Sequence, residues 1–198
     1  MSNSLKSEVA AAVASLVVHE GLEYGQAKRR AVHQLNLGPR TALPDNAEVE
    51  EAVREHIALF CADTQPSELA ELRRIAMVWM ERLASFRPHL SGAVWRGTGT
   101  RLSDIYLQLF CDDAKSTEMT LIDMKIRYEA GTVPGFQGRP VSALSVRIAS
   151  PVLAASVGLH LLIHDHDDLR GALKPDANGR SMRGDLGALR RLLAEESA

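Results

Sequence analysis

The chain has 198 residues, of which 45% are hydrophobic and 24% are charged. This length and composition are typical of one sizeable globular core with a smaller annex, and they exclude wholesale disorder and collagen-like or repeat architectures. The formal net charge of -2 at pH 7 provides no overall attraction to nucleic acid or to an anionic membrane, so we expect neither as a partner.

Cysteine usage and the N-terminal sequence bear on the compartment. Cys61 and Cys111 belong to neither a CxxC pair nor a Cys/His ligand series, which argues against a disulfide framework or a structural zinc site. The N-terminal stretch MSNSLKSEVAAAVASLVV lacks the charged region, apolar block and cleavage site of a secretion signal. No later run approaches the ~20 apolar residues that a membrane-spanning helix needs. We expect a cytoplasmic, reduced protein.

Apolar residues at helical spacing predict four helices in the N-terminal part of the chain. The first ends near Gly21, and the second runs from Tyr24 to Leu35 and stops at Gly38 and Pro39. Asp45 or Asn46 caps the third helix. The apolar stripes are Val9, Val13, Leu16 and Val17 in the first helix, Val49, Val53, Ile57 and Phe60 in the third, and Leu69, Leu72, Ile75, Ala76, Trp79 and Leu83 in a fourth helix that opens at Ser67 and Glu68 and ends before Pro88.

From His89 onward the apolar period changes from helical to alternating, which predicts strands. The expected strands are His89 to Val94, Asp104 to Cys111, Val141 to Ile148 and Val157 to Ile163. Between the second and third strands we expect a helix from Lys115 to Arg127, with Met119, Ile122 and Ile126 inward, and then a loop with the sequence EAGTVPGFQGRP. Asp185 caps a final helix. The chain therefore divides into a helical segment at 1–65 and a sheet domain at 66–198.

The stretch SGAVWRGTGTRLSDIYLQLF, residues 91–110, carries the functional signal. Gly92 lets the backbone approach a phosphate closely, and the amides of the following turn can point at phosphate oxygens. Arg96 can add a charge-assisted contact. Because side chains alternate along a strand, Asp104, Tyr106 and Gln108 share one face and look into a cleft.

The polar residues of this stretch stand as G-x-x-x-R-G-x-x-x-x-x-S-D, formed by Gly92, Arg96, Gly97, Ser103 and Asp104. This spacing resembles the signature of the nucleotidyltransferase superfamily, the DNA polymerase beta-like fold, and most closely its minimal nucleotidyltransferase branch. The order of the following elements extends the resemblance over about residues 66 to 165. It implies an α+β fold with a mixed sheet and helices on one face. It also implies nucleotidyl transfer from a nucleoside triphosphate, with Mg held by a catalytic Asp104 and nucleotide contacts from Gly92, Arg96, Gly97, Ser103 and Tyr106.

The chain departs from the family pattern in three places. Ala93 replaces a serine, Tyr106 replaces the second carboxylate, and no acid lies at residues 142–146, where a third carboxylate is expected. A neutral phenol with a pKa of about 10 is a poor ligand for a hard cation. Two hypotheses follow: an active transferase with an unknown acceptor, or a catalytically degenerate relative that serves as a ligand-binding or interaction module.

Two further clusters have competing interpretations. The run HLLIHDHDD places His160 and His164 on one strand face before Asp165, which suits either a metal site or a strand that ends in a solvated acidic turn. The run from Lys28 to Arg30 is either a solvated helix face or a nucleic-acid patch on the N-terminal helices. A homodimer through these helices is one arrangement that the sequence allows.

Overall fold

The computed structural model describes residues 2–38, 41–176 and 179–196. The chain divides into two compact units, Met1–Pro66 and Ser67–Ala198. The helices are α1 (Ser2–Glu20), α2 (Tyr24–Gln34), α3 (Asn46–Phe60), α4 (Gln65–Arg82), α5 (Gly92–Arg96), α6 (Ala114–Asp123), α7 (Leu169–Ala172) and α8 (Leu186–Glu196). The strands are β1 (His89–Ser91), β2 (Ile105–Phe110), β3 (Glu129–Pro134), β4 (Pro140–Ser150), β5 (Ala155–His164) and β6 (Arg183–Gly184).

The first unit packs α1, α2 and α3 around a small apolar core. Four fully buried side chains form the centre of this core: Val9, Val13, Val49 and Val53. The predicted cap of α3 is confirmed at Asp45, whose carboxylate accepts from the Glu48 backbone N–H at 2.8 Å, while the Glu48 carboxylate accepts from the Asp45 N–H at 2.8 Å. This reciprocal pair satisfies amides that the first helical turn leaves free.

Three expectations for the N-terminal helices have other outcomes. Phe60 was expected in the apolar stripe, but it is 68% exposed because α3 ends there. Lys28 donates to the Asn46 side chain and Arg30 pairs with Glu20, so two cations of the basic run make contacts within the unit. Pro39, expected to stop α2, lies outside the described residues. Every helix in the described parts of the chain is too short or too polar to cross a bilayer.

The second unit is built on a six-stranded mixed sheet with the order β3-β4-β5-β2-β1-β6. Only β2 and β5 pair in parallel; the other neighbours are antiparallel. Alternate residues of the strands pack in one core with residues of α4, α6 and α8. The helices contribute Leu72, Leu121 and Leu189, respectively. The predicted α+β class, the mixed sheet and the packing of helices on one face are confirmed.

The strand predictions need two corrections. The strand expected at His89 to Val94 ends at Ser91, because Gly92 has a φ of +73° that turns the chain out of the sheet and into α5. The segment expected to be a loop contains β3, which pairs with β4 over Glu129–Pro134. Its glycine and proline residues led to the prediction of a loop. A strand at the edge of the sheet tolerates them, because one side of that strand needs no hydrogen-bond partner.

The inward face predicted for the helix after β2 is wrong at Met119 and Ile122, whereas Ile126 packs against the core as predicted. Met119 is 64% exposed and Ile122 59% exposed, whereas Thr117 and Leu121 are fully buried. The helix ends at Asp123 rather than Arg127, because Lys125 takes a left-handed φ of +57° and the Ile126 N–H bonds back to the Leu121 carbonyl. This helix end satisfies carbonyls of the last turn.

The corrected face of α6 predicts which substitutions destabilise the second unit. Leu121→Ala is expected to lower the free energy of unfolding by about 2–5 kcal/mol, because it leaves a cavity in the core. Met119→Ala, on the exposed face, is the matched control and should cost less than about 0.5 kcal/mol. Urea unfolding followed by tryptophan fluorescence measures both, since Trp79 and Trp95 lie in this unit. Equal losses for the two variants would contradict the assigned face.

Candidate functional site

The predicted phosphate turn runs from β1 through α5 to β2. Gly92 begins α5, and a Cβ at this position would stand 3.4 Å from the Tyr106 ring. Gly97 ends α5 in a left-handed conformation, with a φ of +86°. Arg96 is the last residue of that helix and is partly buried. The turn therefore brings Gly92, Arg96 and Gly97 into one short segment beside β2.

Ser103 closes the turn before β2. Its hydroxyl accepts from the Thr100 N–H at 3.0 Å, and its own N–H donates to the Thr100 carbonyl at 2.8 Å. The Ser103 side chain thus serves the local turn, a common use of serine outside helices and strands.

A row of side chains crosses the sheet face that lies opposite the helices. The strand registers align Ser91, Tyr106, His160, Ser145 and Glu129 across five strands. We call this side of the sheet the polar face. The Tyr106 and His160 rings stack, with centroids 4.9 Å apart and planes 28° apart. Tyr106, at the position of the missing carboxylate, is therefore an aromatic wall of the site.

Asp104 lies two residues before Tyr106, immediately ahead of β2. Its Oδ1 accepts from the Gly158 N–H at 3.0 Å, and its Oδ2 lies 3.0 Å from His160 Nε2. A Cβ at Gly158 would stand 2.5 Å from the Asp104 Oδ1. The carboxylate therefore occupies space that only a glycine leaves open.

His160 joins Asp104 to Ser145. Because a carboxylate only accepts, Nε2 carries a hydrogen toward Asp104, and in the neutral ring Nδ1 then accepts from the Ser145 hydroxyl, 2.8 Å away. Asp104, His160 and Ser145 form a hydrogen-bonded chain over β2, β5 and β4.

The pKa of the Asp104 carboxyl is lowered from its ordinary value. The hydrogen bond from His160 is the largest cause, and the Gly158 N–H and the charge of Arg147 act in the same direction, whereas partial burial opposes them. Arg147 pairs in register with Gly158 on the adjoining strand. Asp104 is consequently an ionised acceptor at neutral pH.

Magnesium, the cofactor that the resemblance implies, does not fit these donors. Magnesium requires octahedral oxygen ligands and is usually held by one or two carboxylates together with phosphates and water. Here both Asp104 oxygens accept hydrogen bonds, and the side chains beside Asp104 are a phenol and an imidazole. Within residues 2–38, 41–176 and 179–196, no group of three or more His, Cys, Asp or Glu side chains could hold a metal ion.

The expected position of the third acid also needs a correction. It was assigned to residues 142–146, in the third strand of the predicted order, but that segment lies in β4, two strands away from β2. The strand beside β2 is β5, and its residue facing Tyr106 is His160. The inserted hairpin of β3 and β4 caused the error, because sequence order does not reveal which strand pairs with β2.

The other residues of the histidine cluster have separate surroundings. His164 is 3% exposed and stacks on Phe136, with centroids 4.2 Å apart. Burial is the main cause that lowers its pKa, although the charge of Asp168 opposes this effect. Asp165 caps the turn at 166–168 by accepting from the Asp167 N–H. The roles of Ser145 and Arg147 were missed because only the strand register brings them to Asp104.

Comparisons with known proteins give limited similarity. No protein-family model matches the sequence, and no curated protein matches it. Among solved structures, the crystal structure of the Cid1 poly(U) polymerase with MgGTP bound is similar to part of the chain, at 11% identity and a TM-score of 0.37. The match covers 56% of this chain and 38% of that chain. The link to nucleotidyltransferases therefore depends on the motif between Gly92 and Asp104.

The close approach at Gly158 gives a test of the site geometry. Gly158→Ala should lower the free energy of unfolding by about 1–3 kcal/mol, because the new methyl group displaces the Asp104 carboxylate. Gly171→Ala is the matched control, since a Cβ there meets nothing within 4 Å. The loss should shrink when Gly158→Ala is combined with Asp104→Ala, measured by urea unfolding. An unchanged loss in the double variant would contradict the contact.

The Asp104–His160 pair predicts a pH dependence. In a carbon-detected NMR titration, the Asp104 pKa should lie below its ordinary value and should rise in His160→Ala, because the largest lowering cause is removed. A lowered pKa stabilises the folded state above the unfolded-state value of about 3.9, and this stabilisation is lost as the pH falls through the lower folded-state value. Asp165, an exposed carboxylate that follows the far end of β5, serves as the internal control. An Asp104 pKa that does not respond to His160→Ala would contradict the pair.

Proposed function

We propose that this chain is a nucleotidyltransferase-like protein that binds a phosphate-bearing ligand on its polar face and does not transfer a nucleotidyl group. The ligand class that the motif implies is a nucleoside triphosphate. The observation that carries the proposal is the state of Asp104, which is held by the Gly158 amide and His160.

Nucleotidyl transfer requires positive charge beside the reacting phosphate. Enzymatic phosphoryl-type transfer depends on positioning and on cations that neutralise developing charge on the phosphate oxygens. A magnesium clamp of the type that the resemblance implies requires further carboxylates beside Asp104. In this chain Tyr106 stands at the second position, and the residue that pairs with it on the neighbouring strand is His160. Without that charge, a triphosphate bound beside Asp104 has no metal-assisted route to an activated leaving group.

The site retains groups that can bind a nucleotide. Gly92 and Gly97 keep the short turn beside β2, and Arg96 supplies a guanidinium on the same segment. The stacked rings of Tyr106 and His160 form a partly exposed aromatic surface next to it. A cationic side chain and an aromatic wall suit the phosphate and base of a nucleotide.

An active transferase is the other hypothesis, and it requires a different state of Asp104. Asp104 would have to leave His160 and bind magnesium, with the remaining ligands supplied by the nucleotide. Nucleotide binding would then depend on both magnesium and Asp104. The proposed binding module requires neither dependence.

Isothermal titration calorimetry with each nucleoside triphosphate, with and without Mg, separates the two. We expect binding that Mg does not strengthen, that Asp104→Ala retains, and that Arg96→Ala weakens at least about tenfold. Arg101→Ala, an exposed arginine in the adjoining turn, is the control. A complete lack of binding would contradict the ligand assignment, and labelled product that disappears in Asp104→Ala would contradict the absence of transfer.

A gain of metal binding provides a second arm of this test. Tyr106→Asp combined with His160→Asp rebuilds three carboxylates around the start of β2. We expect this variant to bind nucleotide more tightly when Mg is added, because the oxygen donors of a metal clamp are restored. The same response to Mg in the wild type would contradict the conclusion that the side chains around Asp104 do not hold magnesium.

A further inference from the structure

A second candidate site lies within the second unit, away from the polar face. It is a groove of about 460 Å³ between α4, the segment that follows α6, and the final half of β4. We call it the basic groove. The cations along it are Arg74, Arg82, Lys125 and Arg127. Arg147 also borders the groove, but its side chain lies on the polar face, opposite Val146 and Ile148.

One wall of the basic groove is a sheet edge. The pairing of β3 with β4 ends at Glu129 and Ser145, whereas the pairing of β5 with β4 continues to Ser150. The described residues therefore pair the segment Val146–Ser150 on one side only. Every second residue of such an edge directs its backbone N–H and C=O outward, where an extended chain can bind them.

The floor of the basic groove is apolar. Ile75, Trp79 and Val146 lie there and are 4–6% exposed. The Arg82 guanidinium lies over the Trp79 ring, 5.5 Å from its centroid. Because Trp79 is buried beneath this cation, it offers apolar contact area and no free ring face for a nucleobase.

The charge of the basic groove is positive although the whole chain carries -2. Besides Arg147, whose charge lies on the polar face, its lining contains four cations and one carboxylate, Glu71. Arg74 donates two hydrogen bonds to that carboxylate, at 2.7 and 2.8 Å, and Ser150 donates a third at 3.0 Å. These bonds, that of Arg74 first, lower the Glu71 pKa. Among the described residues that line the groove, the other three cations, Arg82, Lys125 and Arg127, have no acid to offset their charge.

We propose that the basic groove binds an extended acidic segment of a partner protein, which adds a strand to the free edge of β4. A strand added there alternates its side chains between the two faces of the sheet. Lys125 and Arg127 line the groove next to this edge. Acidic side chains meet these cations, and apolar side chains reach the floor at Ile75 and Val146. A peptide satisfies the backbone groups of the edge, which a nucleic acid does not.

The test uses the full chain and a fluorescein-labelled short peptide of alternating glutamate and valine, followed by fluorescence anisotropy. Lys125→Glu combined with Arg127→Glu should weaken binding at least about tenfold. The control is Lys115→Glu combined with Arg191→Glu, two exposed sites on α6 and α8 with the same change of net charge. We expect the control to change binding less than about twofold. Equal weakening by both pairs, or no saturable binding by the wild type, would overturn the proposal.

Changes in the peptide test the backbone contacts without altering the protein. Methylation of alternate peptide amides in one register should abolish binding, because it removes the donors to β4, whereas methylation of the other set should not. Bound peptide should also slow amide hydrogen exchange at residues 146–150. If neither methylated set weakens binding, or if a short oligouridylate binds more tightly than the peptide, the proposal is wrong. None of these changes involves Asp104 or His160, so the outcome is independent of the nucleotide test.

Discussion

The space left by Gly158 is the constraint on which the polar face depends. The parallel pairing of β2 with β5 aligns Ile105, the first residue of β2, with Leu159 and aligns Tyr106 with His160. Because Gly158 has no side chain, the Asp104 carboxylate can lie over β5, where the Gly158 amide and His160 hold it. Any larger residue at Gly158 would fill the place of the carboxylate. The site therefore exists through a backbone position as much as through its polar side chains.

The same hydrogen bonds decide what Asp104 can do. A carboxylate in a metal clamp must present its oxygens to a cation, whereas both oxygens of Asp104 already accept hydrogen bonds within the sheet. His160 lies on β5, the parallel neighbour of β2, and pairs in register with Tyr106. Its second ring nitrogen forms a hydrogen bond with the Ser145 hydroxyl. The charge of the carboxylate is compensated by protein groups, Arg147 among them. This internal compensation is what favours a binding site over a metal-dependent transferase.

The hairpin of β3 and β4 has two consequences at opposite sides of the sheet. It brings Ser145 and Arg147 to the polar face, and its unequal strands leave the end of β4 paired on one side only. Sheet edges of this kind bind extended chains unless charge or irregular geometry protects them. Here the charges beside the edge are positive and the floor below is apolar, which is why we propose an acidic, partly apolar partner.

The sequence by itself determined the N-terminal helices, the α+β class and the motif from Gly92 to Asp104, because these follow from local periodicity and chain spacing. It limited the cap of α3 to Asp45 or Asn46, and the structure decided for Asp45. The apolar stripe of α4 was likewise predicted residue by residue. The sequence did not determine β3, the buried face of α6, or the position of the strand that pairs with β2. Those features depend on contacts between residues far apart in the chain. The partners of Asp104 were decided by the tertiary structure alone, because strand register brings Gly158 and His160, more than fifty residues away, within hydrogen-bonding distance.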